Sequence, residues 1–196
     1  MRGLEQIPWF YDAAMALFER FGLRRWRRKL TGWASGRVLE VGCGTGRNLA
    51  LYETPEPPTA ADPCLDVVLA ARRKRPDARL LVASAEALPF RDGAFDHVVS
   101  GLVFCSVPDP DRGLREVGRV LDADGRLLML EHVRHTSPIR ARLQDWVQPA
   151  WTAVSGGCHP NRDTEGAVRR AGFTIDPTTR RARGTMRLFA ARPSRS

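Results

Sequence analysis

Apolar runs of strand length alternate with segments of helical periodicity through the middle of the chain. Strand-like runs cover residues 38–41, 59–62, 79–83, 95–100 and 126–131, and apolar residues at helical spacing fill 65–74 and 109–121. This alternation favours a parallel sheet whose strands are joined by right-handed helical crossovers. After a last helix over 164–171, runs at 173–177 and 186–191 predict a reversed pair at the sheet edge. The predicted fold is α/β, a Rossmann-like doubly wound seven-stranded sheet, mostly parallel with a reversed terminal strand.

Two amphipathic segments lie outside this alternation. Within residues 8–30 apolar side chains recur every three to five positions, which predicts one or two N-terminal helices. The aromatic segment 133–162 is broken at Pro149 and is too long for a plain connection. From the pattern alone, the N-terminal helices pack their apolar side on the domain. The second segment forms a helix pair that serves the core or a dimer surface.

The positive charge of the chain is scattered rather than concentrated. The net charge is +9, and of the 31 basic residues only Lys29 and Lys74 are lysines. One basic cluster stands out, at residues 24–29. It is a solvated helix face, a contact for an anionic membrane surface or a phosphate-bearing substrate, or, least favoured, a contact for nucleic acid.

The four cysteines show no C-x-x-C spacing and form no zinc quartet with the four histidines. We therefore expect reduced thiols in a cytoplasmic protein, and no metal site. Acidic and basic residues interrupt residues 1–30, so this stretch lacks the continuous apolar core of a signal peptide or a membrane span. Association with a membrane surface stays open through the basic cluster.

The stretch around which the chain is organised is residues 38–48, V-L-E-V-G-C-G-T-G-R-N. A buried strand runs into three glycines and then into a helix-like segment, an arrangement that brings backbone close to a ligand. The spacing E-x-G-x-G-x-G differs from the dinucleotide fingerprint G-x-G-x-x-G. It resembles motif I of class I S-adenosylmethionine (SAM) methyltransferases, although a glycine turn without ligand is the alternative. By this resemblance Glu40 lies near the methionine ammonium. The same motif assigns to the cofactor site Gly42, Cys43, Gly44, Gly46 and Asn48.

A carboxylate at the end of the second strand is the next candidate. Asp62 can accept both hydroxyls of a ribose, with Pro63 beside it, or it can cap the following helix. Ser84, Ala85 and Glu86 stand in a segment that resembles the family's D-A-E-x-L-P-F, which contacts adenine. Ser84 replaces the usual aspartate, so the adenine contact is weaker or moves to Ala85 and Glu86. Glu86 is alternatively an exposed acid at a helix start.

The fourth and fifth strands complete the predicted crevice. F-D-H-V-V-S resembles the family's F-D-x-V-x-S, so Gly101 and Leu102 are expected to line the methionine end of the cofactor, and residues 103–107 are expected to approach the acceptor. Cys105 is either an acceptor-site residue or a small apolar filler. His132 ends the fifth strand and is the candidate catalytic base, or else a pocket wall or a structural histidine. His135 and His159 are further candidates in the insertion. The strand ends converge on one edge of the sheet, where ligands of such folds bind.

Several motifs resemble a subset of these enzymes, the membrane-associated alkyl thiol methyltransferases of animals and the bacterial phosphatidylethanolamine N-methyltransferase-like proteins. They are V-L-E-V-G-C-G-T-G-x-N, L-V-x-C-S-V, E-H-V and P-A-W followed by G-C. This resemblance implies a SAM-binding methyltransferase domain over 36–196, with a lid over 1–35 and an acceptor-site insertion over 133–162, in one structural domain. It implies methyl transfer to a small, apolar acceptor, a thiol first. The alternatives are an amine such as phosphatidylethanolamine, or oxygen or carbon of a quinone or natural product.

Other enzyme classes are disfavoured by particular residues. A nicotinamide-dependent reductase would need a different glycine spacing and a Tyr-x-x-x-Lys pair, and a nucleic-acid methyltransferase would carry an N/D-P-P-Y/F tetrad. The sequence shows neither. The expected ligands are therefore SAM, its product S-adenosylhomocysteine and a small-molecule acceptor.

Overall fold

The computed structural model describes residues 22–154 and 158–194 of the protein. Its helices are α1 (Arg24–Thr31), α2 (Leu65–Lys74), α3 (Pro110–Val120), α4 (Pro138–Val154) and α5 (Thr164–Arg170), with a 3₁₀ turn at Leu49–Leu51. Its strands are β1 (Val38–Val41), β2 (Thr59–Asp62), β3 (Arg79–Val82), β4 (Phe95–Gly101), β5 (Leu121–His132), β6 (Phe173–Ile175), β7 (Arg181–Arg183) and β8 (Met186–Pro193).

The strands form one mixed sheet in the order β3-β2-β1-β4-β5-β8-β6. Strands β1 to β5 are parallel, and β8 runs antiparallel to β5. This confirms the predicted Rossmann-like fold with its reversed terminal strand. The central position of β1 explains its composition, since all four of its residues are buried, as expected of a parallel strand covered on both faces.

Apolar clusters cover both faces of the sheet. On one face Leu114 and Val117 of α3 pack with Val98 and Met129 of the sheet. On the other face Leu30 of α1 joins a cluster that includes Val99, Leu128 and Leu188. The helix α3 starts where the sequence signals it, because Pro110 follows Asp109, whose carboxylate accepts a hydrogen bond from the Arg112 amide across 2.9 Å.

The structure adds one strand to the predicted seven. β7 pairs with Arg187 and its neighbours at one end of β8, while β6 pairs at the other end, so the two short strands share one edge. All three residues of β7 are exposed. Its sequence, Arg-Ala-Arg, lacks the apolar alternation from which a strand is predicted. The strand is fixed instead by a tight turn at Gly184, which adopts a φ of 58°.

Three predicted boundaries are wrong. The helix-like segment after the glycines is only the short 3₁₀ turn at Leu49–Leu51. β5 starts at Leu121 rather than at residue 126, and residues 122–125 form an irregularity in the β4–β5 ladder. α4 continues through Pro149, which has no backbone N–H to donate, and the Gln148 side chain next to it donates to Thr152 Oγ1 across 3.0 Å.

The N-terminal prediction lies largely outside the described residues. Only α1 and the turn before β1 belong to the part of 1–35 that the structure describes, so the lid stays a prediction. Among the helices of the described ranges, none has both the length and the apolar sequence that crossing a bilayer requires.

Candidate functional site

A cavity of about 250 Å³ opens at the carboxyl ends of the parallel strands. This is where the strand order places ligands in open α/β sheets. Its walls come from the loops that follow β1, β2, β3 and β4. The lining residues are Gly42, Gly44, Thr45, Asp62, Pro63, Cys64, Val67, Ser84, Ala85, Leu102, Val103, Ser106, Val107 and Pro108. Seven of the thirteen predicted cofactor residues are therefore brought together in one place.

The glycine loop needs its glycines for different reasons. Gly42 has a φ of 66°, and a Cβ there would overlap the Val103 side chain. Gly46 has a φ of 79°, and a Cβ would come within 3.0 Å of Ala71 in α2. Gly44 has a φ of 51° but faces open space. Gly42 and Gly46 thus allow close packing inside the protein, whereas Gly44 presents bare backbone to the cavity.

Asp62 is held in place by two backbone amides. Its Oδ2 accepts from Gly44 N across 2.9 Å and its Oδ1 accepts from Cys64 N across 3.0 Å. Burial raises the pKa of this carboxyl, and the two amide bonds oppose that effect. The side chain does not cap α2, because the N-cap residue of that helix is Cys64. A carboxylate offers about four acceptor sites, so Asp62 keeps acceptor capacity for a ligand in the cavity that it lines.

Ser84 and Ala85 line the cavity, but Glu86 does not. The Glu86 carboxylate accepts from the Ser84 hydroxyl across 3.1 Å and from Asp109 N across 2.8 Å. It thereby links the loop after β3 to the start of α3. The cavity wall at that point is Ser84 and Ala85, and a contact of Glu86 with a ligand stays a prediction.

Glu40 lies beneath the glycine loop rather than in the cavity wall. Its Oε1 accepts from Asn48 Nδ2 across 2.9 Å, and Asn48 Oδ1 accepts from Arg27 Nη1 of α1 across 2.7 Å. All three side chains are buried. Burial raises the pKa of the Glu40 carboxyl to about 7, against the opposing effects of Asn48 and Arg27. This row ties α1 to the glycine loop.

Three further predicted residues support the cavity from behind. Gly101 packs so closely on this row that a Cβ would come within 2.7 Å of Asn48 Nδ2. Cys43 is buried in the core on the α1 side of the sheet. Gly46, as described above, lets α2 approach the loop. These residues shape the cavity wall without lining it.

The loop after β4 carries backbone strain at the cavity. Leu102 adopts a φ of 65°, a conformation that costs a leucine about 1–2 kcal/mol. Its amide donates to Leu130 O across 2.7 Å, which holds the strained residue against β5. Leu102 therefore lines the cavity in a backbone conformation that lowers the stability of the folded protein.

Comparisons with known proteins indicate the family of the chain. A family model described as a methyltransferase domain matches residues 39–129. The thiol S-methyltransferase TMT1B of Rattus norvegicus is 36% identical over 145 residues, covering 70% of this chain and 59% of that protein. The demethylmenaquinone methyltransferase of Renibacterium salmoninarum is 31% identical over 157 residues, covering 77% of this chain and 66% of that protein.

A solved structure shares the fold. It is a SAM-dependent methyltransferase of Thermotoga maritima, described as a possible histamine N-methyltransferase, with a TM-score of 0.69 and 19% identity. The match covers 94% of this chain and 98% of the other. The chain belongs to the class I SAM-dependent methyltransferases. It spans 59% of the length of the rat relative. The cofactor of this methyltransferase family is SAM.

Glu131 is a buried residue of this chain to which sequence reasoning assigned no role of its own. Its Oε1 accepts from Ser100 Oγ across 2.8 Å, Val103 N across 3.1 Å and Phe104 N across 3.2 Å. Burial raises the pKa of Glu131 to about 7. In the sequence, the sign of a role for Glu131 was the position of a carboxylate within an apolar strand. Glu131 holds the loop after β4 against the cavity, and it therefore positions Val103, which forms part of the wall.

The structure does not place His132 in the cavity wall. Its side chain is half-buried, and burial lowers the pKa of its imidazole, which keeps it neutral at neutral pH. Neutral imidazole is the form that a general base needs. The role of His132 as base stays a prediction.

The other sequence candidates fall outside the cavity wall. His135 is bonded to a near neighbour in the chain, since its Nδ1 accepts from Ser137 N across 2.9 Å. His159 N donates to Cys105 O across 2.8 Å, which ties the end of the insertion to the loop after β4. Cys105 is itself buried. Tyr11, a candidate contact for the cofactor or acceptor because Tyr11-Asp12 resembles a pair seen early in small-molecule methyltransferases, lies outside the described residues. In the described part of the chain no three His, Cys, Asp or Glu side chains group as metal ligands do.

The wall residues that were missed share a simple property. They are Thr45, Cys64, Val67 and Pro108, small or apolar residues of loops and of one helix. Val103, Ser106 and Val107 belong to the segment 103–107 that was expected from the sequence to approach the acceptor. Apolar wall residues look like core residues in a sequence, because both are apolar positions next to strand ends. Only the folded arrangement shows that they face a cavity.

Proposed function

We propose that this protein transfers the methyl group of SAM to a small, uncharged and apolar acceptor, with a thiol as the first choice. The observation that carries the proposal is the chemistry of the cavity wall. Its ionisable side chains are Asp62 and Cys64, and both stand at the end of β2. Around the loop after β4 the wall consists of Leu102, Val103, Ser106, Val107 and Pro108. That end offers no charged partner from the described residues, which favours an uncharged acceptor.

The opposite end of the cavity suits the cofactor. Asp62, fixed by two amides, has acceptor oxygens left for a ribose diol, and the open backbone at Gly44 allows a ligand to approach. Ser84 and Ala85 then flank the position for adenine. Glu40, Asn48 and Gly101 support the loop at the methionine end. Bound SAM would supply an activated methyl group on a positively charged sulfur.

The work left to the protein is alignment and exclusion of water. An attacking atom and the methyl carbon have to lie in line at contact distance, and such positioning can supply most of the rate enhancement. The strained Leu102 and the Glu131 bonds to Val103 and Phe104 hold the wall at the acceptor end in one geometry. A thiol acceptor also has to lose its proton, for which a neutral His132 is the candidate base.

A quinone-type acceptor methylated on carbon or oxygen is the second candidate. The relative from Renibacterium salmoninarum is a demethylmenaquinone methyltransferase, and it aligns over 77% of this chain. A flat apolar ring would suit the same wall. A phospholipid amine is less favoured, because its phosphate would find no cationic side chain in the cavity wall described here.

The test has a binding arm and a turnover arm. Isothermal titration of the purified chain with S-adenosylhomocysteine tests the cofactor site, and binding that Asp62→Ala weakens is the expected result. Turnover with SAM is then followed on alkyl thiols, demethylated quinols and phosphatidylethanolamine, by S-adenosylhomocysteine release and product mass. S-methylated product from the thiols is expected. Methylation of the lipid amine alone would contradict the proposed acceptor, and absence of binding would contradict the site.

A further inference from the structure

The helix α4 is amphipathic, but its apolar side faces away from the protein. Among its residues with described side chains, the less exposed ones are Ala141, Gln144, Asp145, Gln148 and Thr152, so its protein-facing side is mostly polar. The large apolar side chains point outwards instead. Ile139 is 80% exposed, Leu143 58%, Trp146 81% and Val147 42%. A helix normally buries its apolar side, so this surface indicates an interaction site.

Specific bonds hold α4 in this orientation. Asp145 pairs with Arg134 across 2.6 Å and accepts from Asn161 Nδ2 across 2.8 Å. Gln144 Oε1 accepts from His135 N across 2.7 Å, and Thr152 Oγ1 donates to Cys158 O across 3.0 Å. These contacts anchor both halves of the polar side to the chain before and after the helix. Turning the apolar side inwards would break them, so the outward stripe is a feature of this fold.

The outward surface carries positive charge at its margins. With about 100° of rotation per residue, Ile139, Leu143, Trp146 and Val147 form one continuous stripe. Arg142 falls beside one edge of the stripe and Arg140 beside the other, and both are exposed. An apolar stripe with tryptophan between arginines is the arrangement of helices that lie in the interface of an anionic bilayer.

We infer that α4 docks this protein on the surface of an anionic lipid bilayer, with the stripe from Ile139 to Val147 inserted among the lipids. The alternative occupant is a second copy of the chain, but two molecules of net charge +9 repel each other, whereas an anionic surface attracts each of them. The sequence left residues 24–29 open as one candidate contact for an anionic membrane. The structure buries Arg27 of that cluster and exposes a second candidate, the apolar stripe on α4.

The position of α4 connects this surface to the proposed function. The chain that leaves α4 meets the cavity loop, since His159 N donates to Cys105 O and Arg162 Nη1 donates to Phe104 O across 2.8 Å. The loop of Cys105 and Phe104 continues into Ser106 and Val107 of the cavity wall. If the acceptor is apolar as proposed, it partitions into the bilayer and reaches the cavity from that side. This part of the inference rests on the proposed function, whereas the docking itself does not.

Flotation of the full chain with vesicles tests the docking without SAM or acceptor. Vesicles of phosphatidylcholine with phosphatidylglycerol should carry the protein upwards, and pure phosphatidylcholine vesicles should carry much less. The double variant Leu143→Ser/Trp146→Ser should bind at least tenfold more weakly, because each side chain loses its apolar burial. The double variant Arg140→Gln/Arg142→Gln should lose about fivefold for each arginine removed.

A matched control comes from α2. Leu65 and Leu69 are 56% and 52% exposed and lie one turn apart, so Leu65→Ser/Leu69→Ser removes two large exposed apolar side chains from a different helix. This variant should float like the unchanged protein. Equal flotation of the α2 and α4 variants would overturn the inference, as would absence of flotation. A dimer in sedimentation velocity that the α4 variant alone disrupts, with no flotation, would assign the surface to a second copy and overturn it too.

If the double variant is unstable, the fluorescence of Trp146 provides a second test of the docking. Trp146→Phe keeps an apolar ring and should float normally. Lipids brominated in the upper acyl chain should quench less of the total tryptophan fluorescence in Trp146→Phe than in the unchanged protein. Identical quenching would show that Trp146 stays outside the lipid. Because none of these experiments involves methyl transfer, their failure and failure of the proposed function are separate results.

Discussion

Asn48 donates from Nδ2 to Glu40 Oε1 across 2.9 Å within the core beneath the glycine loop. Each of these side chains is almost completely buried, and Asn48 also accepts from Arg27. The asparagine therefore stands between a buried acid and a buried base that come from different parts of the chain. Loss of this one amide would affect both the stability of the fold and the position of the loop.

Asn48→Ala should lower the free energy of unfolding by about 2 to 4 kcal/mol, because it leaves buried polar groups without their partner. It should also weaken S-adenosylhomocysteine binding, since the loop loses its support. Urea unfolding and titration calorimetry measure the two effects. Asn161→Ala is the matched control, because Asn161 bonds to the more exposed Asp145. Equal losses in the two variants would contradict the role given to Asn48.

Stability should fall with rising pH between about 4.5 and 7. Glu131 has an ordinary pKa of 4.5 and a folded pKa of about 7, so in this window the folded protein holds a proton that the unfolded chain releases. The stabilising contribution is complete below 4.5 and lost above 7. Glu40 shifts in the same direction. Acids with lowered pKa, such as Glu116 beside Arg119, act at lower pH.

Glu131→Gln should remove part of this pH dependence, because glutamine resembles the protonated acid and its oxygen can still accept the same bonds. The difference between the two proteins should grow across the window by on the order of 3 kcal/mol at most. Urea unfolding at intervals of pH measures it. The same pH slope in both proteins would show that Glu131 does not hold the proton.

Gly44→Ala should weaken cofactor binding far more than it weakens the fold. A Cβ at Gly44 meets nothing in the protein, so it would occupy space on the ligand side. Gly184 is a matched control, since it also has a positive φ and open space but lies in the β7–β8 turn. Both substitutions should cost about 1–2 kcal/mol of stability for the left-handed backbone. Only Gly44→Ala should lose affinity for S-adenosylhomocysteine in calorimetry; equal affinity would place the ligand elsewhere.

Asp62→Ala should reduce the affinity for S-adenosylhomocysteine by roughly 10- to 100-fold, the value of two hydrogen bonds to a charged group. Asp77→Ala removes a carboxylate that is half exposed before β3, and its affinity should stay unchanged. Calorimetry on the two variants gives the comparison. Parallel losses would indicate a general effect of charge rather than a ribose contact.

His132→Gln should reduce turnover on a thiol while binding of S-adenosylhomocysteine is retained. The imidazole has a pKa lowered by burial and is neutral at neutral pH, as a base must be. The loss should shrink as the pH approaches that of thiol ionisation, since a thiolate needs no base. A pH profile of kcat for both proteins measures this. Unchanged turnover at every pH would remove His132 from the reaction.

The sequence predicted the parts of the site that depend on local pattern. The glycine loop, Asp62 and the residues after β3 follow strand ends that periodicity predicts. The roles of the glycine loop and of the residues after β3 came from their resemblance to methyltransferase motifs. Arg27 could not be assigned, because it is one arginine among several in a row, and only packing decides which of them is buried. Glu131 carried a weak signal, a charge within an apolar strand.

The orientation of α4 was likewise beyond the sequence. Its apolar stripe is visible as a pattern, but periodicity does not say whether a stripe faces the protein or the outside. The polar partners that decide the matter, Arg134, His135, Asn161 and Cys158, lie on either side of the helix in the chain. The predicted acceptor pocket in this segment stays a prediction, and none of the described α4 residues lines the cavity.

The central claim is tested most directly with SAM that carries deuterium in its methyl group. The purified chain is incubated with this cofactor and an apolar alkyl thiol, and the products are analysed by mass spectrometry. The account predicts a deuterated methyl group on the thiol sulfur together with an equal amount of S-adenosylhomocysteine. Cofactor binding without labelled product from any thiol, quinol or amine would contradict it.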